Sequence, residues 1–208
     1  MRVFLAMTGA SGAIYGGRTL SALTAAGCDV GLCASDAATQ VISHEILAQG
    51  AAPPTSPSDT LTAFVDRFAS DPARVDIVDS TDLTSRYASG SSPLGGVIIS
   101  PCSMSTLATI ATGTGRNLVH RAADVALKER RRLILVTRET PLSTVHLTNM
   151  LAATQAGALV MPASPGFYNR PTSIDDLVDF VVGRILDHLG LENTLVPRWG
   201  DSSVAGRA

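Results

Sequence analysis

Five brief apolar runs, each closed by a hydroxyl-bearing or proline residue and followed by a stretch with helical spacing, limit most strongly how this chain of 208 residues folds. They are VFLAM (3–7), CDVGLCA (28–34), GVIIS (96–100), RLILVT (132–137) and ALVM (158–161). Runs this short and this continuously apolar read as strands covered on both faces. Strands alternating with helices predict an α/β fold with a doubly wound parallel sheet. At this length the chain makes a single domain, expected over 1–190, with 191–208 as a tail that holds the only tryptophan, Trp199.

Ser35-Asp36 predicts a helix N-cap for the segment that follows, and the last helix is expected from about Ser173 to Leu189, with Asp175 and Asp176 in its first turn and Gly190 as its stop. Residues 51–60 gather three of the eleven prolines and read as a loop. From Asp59 to Asp82 six acids face two arginines, which predicts solvated surface.

Global composition excludes several partner classes. Lys and Arg number 16 against 18 acids, for a net charge of −2, so a nucleic acid or an anionic membrane finds no general positive field. Nine aromatic residues are too few for a base-stacking surface. The three cysteines, Cys28, Cys33 and Cys102, show neither CxxC spacing nor an even count, and the four histidines lack ligand spacing. No catalytic metal is expected, and a reducing cytoplasm fits. No segment approaches the roughly 20 apolar residues of a membrane span.

In parallel sheets ligands sit beyond the carboxyl ends of the strands, so the informative residues are those that follow the runs. Gly9-Ala10-Ser11-Gly12 lets a backbone approach a phosphate at a helix start, or simply makes a tight turn; neither GxGxxG nor a Walker loop is present. Pro101-Cys102-Ser103-Met104-Ser105-Thr106 is a second hydroxyl-rich helix start. Glu139, directly after a strand and beside Arg138, is placed as a general acid or base, and Glu45 is a second carboxylate candidate.

Charge is uneven along the chain. Between Arg116 and Arg138 lie seven of the basic residues against Asp124 and Glu129 alone. Arg121, Asp124 and Lys128 share one helix face, either as an exposed ion-pair ladder or as part of a phosphate pocket. Arg184 falls beside the apolar stripe of the last helix, where a guanidinium needs an anionic partner from the fold or from a ligand.

MTGASGAIYG, Ser35 followed by two alanines, PCSMSTLATIATG, RAADVALKERR, LVTRETPL and MPASPGFYNRPTSIDDLVDFVVGRILDHLG together closely resemble the UbiX family of flavin prenyltransferases, from Arg2 to Trp199. The resemblance implies a flavodoxin-like fold that binds reduced FMN and dimethylallyl phosphate and joins them, without a metal, at flavin N5 and the neighbouring ring carbon C6. The product, prenylated FMN, serves UbiD-type decarboxylases. By position, Gly9, Ala10 and Ser11 match the first FMN loop, Ser35 the second, Ser103, Met104, Ser105 and Thr106 the third, and Arg138 a further FMN contact. Tyr168 and Arg184 match residues that hold the prenyl phosphate. Arg121 and Lys128 match basic residues contributed to the same phosphate from a neighbouring subunit. Glu139 and Glu45 match carboxylates associated with proton movement, and Ser11 beside them is counted as catalytic. Trp199 matches a tryptophan near the prenyl group. The family forms homo-oligomers, typically dodecamers.

Two other readings share the fold. A flavin-dependent cysteinyl decarboxylase carries a PASANT-type loop with an essential asparagine, where this chain has Pro101 to Thr106. A non-catalytic FMN carrier needs the FMN loops but not Glu139, Lys128, Tyr168 and Arg184 together.

Overall fold

The structure is a computed structural model that describes residues 1–48, 54 and 56–197. Its elements are β1 (Arg2–Met7), α1 (Ala13–Ala25), β2 (Asp29–Ala34), α2 (Asp36–Ile42), α3 (Pro57–Phe68), β3 (Val75–Ile77), β4 (Gly96–Cys102), α4 (Met104–Thr112), α5 (Leu118–Lys128), β5 (Arg132–Thr137), α6 (Thr144–Gln155), β6 (Leu159–Pro162) and α7 (Ile174–Leu189). A π-helical turn, Ser43–Leu47, extends α2, and a 3-10 turn spans Arg86–Ala88. The six strands are parallel in the order β3-β2-β1-β4-β5-β6. The order reverses between β1 and β4, which opens a crevice at their carboxyl ends.

Strand periodicity divides the core in two. Val3, Leu5, Met7, Ile98, Ile134 and Val136 face a first layer made by α1, α2, α3 and α7, while Phe4, Ala6, Val97, Ile99, Leu133 and Leu135 face a second layer made by α4, α5, α6 and Tyr87. Successive residues of one strand thus enter different cores, which is why the runs carry no polar alternation. Each such aliphatic side chain, fully buried, contributes about 1.5–3 kcal/mol. Arg18 on α1 fastens the first layer by a two-pronged contact with Asp179 of α7, at 2.9 and 2.6 Å.

Gly31 in β2 is where the second layer is tightest, since an added Cβ would stand 2.2 Å from Tyr87 Cζ. Tyr87 is itself locked against the Phe4 ring, centroids 5.0 Å apart. We expect Gly31→Ala to cost about 3 kcal/mol, the upper end for overpacking. The check is a denaturant midpoint shift at constant slope, and an unshifted midpoint would contradict this packing.

The stretch from Asp59 to Asp82 corrects the expectation of solvated surface. It contains α3, whose Leu61, Phe64 and Val65 are buried in the first core, and the edge strand β3. The acids lie on the outer side, with Asp59, Asp66 and Asp76 exposed, so the charge count masked an amphipathic helix. That helix also begins inside the expected 51–60 loop, with Ser56 as N-cap and Pro57 at its first position. Residues 49–53 and 55 lie outside the described residues. At the other end α7 stops at Gly190, and Leu191 and Leu195 fold back onto the first core. Trp199 and the rest of the tail from 198 lie outside the described residues.

Candidate functional site

The β1–α1 turn is the centre of the crevice. Gly12 caps α1 in the left-handed region, φ 106°, a conformation that glycine adopts without a Cβ penalty. Thr8 ties this turn to the loop after β4: its hydroxyl donates to the Pro101 carbonyl at 3.1 Å and accepts the Ser103 N–H at 2.8 Å. The two hydroxyl-rich turns predicted from sequence are therefore held together as one unit.

The first helix start is not left open for a ligand anion. Glu45, from the π-helical turn, accepts the N–H groups of Gly12 at 2.9 Å and Ala13 at 2.8 Å. Here the protein supplies its own anion at the positive end of α1. Burial alone pushes the Glu45 carboxyl up, but the Ser11 hydroxyl, the Ala13 and Gly12 N–H groups and the Arg138 guanidinium outweigh it and hold the group below the usual carboxylate range. A carboxylate lowered on folding adds stability above its unfolded pKa, and that stability is lost as the pH falls through the lower folded value. We expect Glu45→Gln to cost about 1 kcal/mol near neutral pH, screened by partial exposure. The difference from the parent should be full at neutral pH and shrink as the pH falls below the ordinary glutamate value of about 4.3 and on through the lower folded value. Parallel pH–stability curves for the two proteins would contradict the capping role.

Two other helix starts face the same crevice. Ser35 Oγ accepts the Ala38 N–H at 3.2 Å at the head of α2, and Ser103 Oγ accepts the Thr106 N–H at 3.2 Å and donates to the Thr106 hydroxyl at 3.0 Å at the head of α4. Met104 is buried beneath this loop and Ser105 is exposed on it. Gly9 lies so close to α2 that a Cβ would stand 2.6 Å from that of Ala37.

After β5, Arg138 Nε donates to the Ser11 carbonyl at 3.1 Å, and the exposed Glu139 accepts the Thr140 N–H at 3.0 Å. Both line a cavity of about 280 Å³ whose apolar walls include Leu142 and Met150. Hydroxyls, helix N-termini, an arginine and an apolar slot along one sheet edge form a donor set suited to a phosphorylated planar ring system. FMN fits this description, with Ser11, Ser35, Ser103 to Thr106 and Arg138 available to hold it.

The remaining basic candidates are not brought to this edge. Arg121 and Lys128 lie on α5, over the second face of the sheet; Arg184 lies on α7, over the first. Lys128 precedes the amino end of β5 and Arg138 follows its carboxyl end, so the strand's length, about 17 Å, separates them. Arg121 pairs with Asp124 at 2.8 Å, but Lys128 pairs with the adjacent Glu129 rather than extending the ladder. Arg184 stands beside the buried stripe, 53% exposed, and of the two partners open to it the structure shows the one from the fold, Asp187 at 3.0 Å. Tyr168 meets the Phe180 ring edge-on at 5.7 Å and is itself exposed.

Sequence reasoning missed the linking role of Thr8 and the cavity walls Leu142 and Met150. Thr8 Oγ1 reaches a residue 95 positions away, a contact with no local signal. Among the described residues no group of His, Cys, Asp or Glu is arranged to hold a metal, and no helix is long and apolar enough to cross a membrane.

Comparison with known proteins gives consistent results. Residues 1–186 match the family model described as Flavoprotein. A flavin prenyltransferase UbiX from Methanothermobacter thermautotrophicus is 46% identical over 197 residues, covering 95% of this chain and 94% of that one. The crystal structure of AnUbiX in complex with FMN and dimethylallyl pyrophosphate superposes with a TM-score of 0.82 at 40% identity, covering 95% of this chain and 96% of that one. A dodecameric FMN-dependent UbiX-like decarboxylase from Escherichia coli O157:H7 gives 0.81 at 40% identity, covering 96% and 99%.

Proposed function

The chain belongs to the UbiX family of flavin prenyltransferases, and on that premise we propose that it transfers the dimethylallyl group of dimethylallyl phosphate to N5 and C6 of reduced FMN, for use by a UbiD-type decarboxylase. What supports this reading is the carboxyl edge of the sheet, where Thr8 joins the Ser103 loop, Arg138 reaches the Ser11 carbonyl and Glu139 lines the adjoining cavity. Bound reduced FMN supplies the nucleophile for the allylic carbon.

The protein's own residues orient, neutralise and move protons. Ser11, Ser35, Ser103, Thr106 and Arg138 hold the cofactor, with Gly9 and Ala10 letting backbone approach and Met104 and Ser105 shaping the third loop. Glu45, its ionised form favoured by its hydrogen bonds, fixes the Ser11–Gly12 turn and is the second carboxylate assigned to proton movement. Glu139 is the proton-transfer group at the cavity wall. Phosphate departure leaves an allylic cation, so the leaving anion needs cationic partners and the allyl group a π-surface. Arg121, Lys128, Tyr168 and Arg184 are the partners for the anion and Trp199 the aromatic wall.

The separation of these cations within one chain makes the active form a homo-oligomer. Lys128 of one copy acts at the crevice of another. The outer side of α6 agrees, since it leaves Val145, Leu147 and Leu151 more than half exposed, a patch that suits a second copy. The dodecamer of the Escherichia coli relative is the assembly we assign. We place the enzyme in the cytoplasm, where its three buried free thiols stay reduced.

Transfer of the product tests the function. The small-molecule fraction of a reaction with reduced FMN and dimethylallyl phosphate should restore decarboxylation to a UbiD-type apoprotein. A fraction without effect, against an authentic prenylated FMN control that works, would contradict it.

A further inference from the structure

We propose that Arg131 is a positioning residue for the prenyl phosphate subsite, acting through the Gly90 carbonyl to set the Ala88–Ser92 segment against Lys128. The inference rests on the reading that Lys128 meets the phosphate.

Beyond the 3-10 turn that ends at Ala88, the segment forms no helix or strand. It is anchored at one end by Tyr87, stacked on Phe4, and at the other by the buried Leu94. Between these anchors two arginines hold it: Arg121 Nε donates to the Ala88 carbonyl at 3.1 Å, and Arg131 Nη2 donates to the Gly90 carbonyl at 2.5 Å. Backbone carbonyls fixed by guanidinium forks set a loop's path without relying on its side chains.

Gly90 shows what that path serves. A Cβ there would stand 2.7 Å from Lys128 Nζ and 2.5 Å from Glu129 Oε1, so the backbone runs directly against the Lys128–Glu129 pair. Ser89 and Ser91 flank it, their hydroxyls 2.9 Å apart. The Lys128 ammonium is thus confined on one side by Glu129 and on another by a loop whose position Arg131 dictates.

Arg131 Nη1 is buried with no hydrogen-bond partner among the described residues, and the arginine's charge also acts on the Glu129 carboxylate beside Lys128, so the half-buried guanidinium spans the Gly90 carbonyl and the Lys128–Glu129 pair. That placement fixes the loop and the ion pair relative to one another.

Two variants perturb the device independently. Arg131→Ala removes the tether, while Gly90→Ala keeps the tether and displaces Lys128 and Glu129, whose flexible ends can move without unfolding the chain. Both are assayed as assembled protein beside Lys128→Ala, with melting temperature and FMN affinity measured for each. The expected result is a KM for dimethylallyl phosphate raised about tenfold in both, with kcat and FMN affinity within about twofold of the parent. A KM raised by Lys128→Ala but unchanged in Arg131→Ala and Gly90→Ala overturns the positioning role alone. A KM unchanged in Lys128→Ala overturns the phosphate assignment and this inference with it.

Discussion

Glu139→Gln should abolish turnover while leaving FMN bound. Removing a positioned proton-transfer group costs 10²- to 10⁴-fold in rate, and we expect a loss of at least about 10²-fold here. The substitution is nearly isosteric, and the glutamine oxygen can still accept the Thr140 N–H that the carboxylate accepts at 3.0 Å. The loop should therefore keep its shape. Arg138, which holds the Ser11 carbonyl at 3.1 Å, is untouched, so FMN affinity should stay within about twofold. Single-turnover rates and flavin titration read the two effects separately. Turnover within about threefold of the parent would refute the proton-transfer role.

The second large effect comes from the separation of the cations. If Lys128 serves a neighbour's crevice, Lys128→Ala and Glu139→Gln disable different halves of each composite site. Alone, and assayed at dimethylallyl phosphate well below the parent's KM, each protein should be nearly inactive. Co-expressed in equal amounts and mixed at random, about a quarter of the sites combine an intact Glu139 from one copy with an intact Lys128 from another. Activity should recover to about a quarter of the parent's. If one chain supplied both residues to its own site, no intact site would form and the mixture would stay as inactive as its components. This outcome follows from the path of β5, which runs its whole length between Lys128 and Arg138.

The four inner strands were legible because they are buried on both faces, leaving apolar runs such as VFLAM and LILV, while the half-buried edge strand β6 was legible from its own short apolar run. The same rule explains the miss at β3: a three-residue edge strand with Asp76 and Ile77 exposed carries no such run. Helix α3 was hidden for another reason, since its acids report on the solvated side while Leu61, Phe64 and Val65 carry the burial. Much of the FMN crevice was readable from chain order, because a parallel sheet places the residues after its strands at one edge. Glu45 could be named as a carboxylate there, but its capping of α1 from 33 residues away depends on how α2 continues into a π-turn. For Arg184 helical spacing gave the place beside the stripe but could not choose its anionic partner, which is Asp187 one turn on.

What happens to the flavin decides whether this chain is a prenyltransferase. Purified protein incubated anaerobically with reduced FMN and dimethylallyl phosphate, then analysed by mass spectrometry of the released flavin, should yield FMN heavier by one C5 unit, in amounts that grow with time and exceed the enzyme present. Recovery of unmodified FMN alone, from protein shown to bind the flavin, would contradict it.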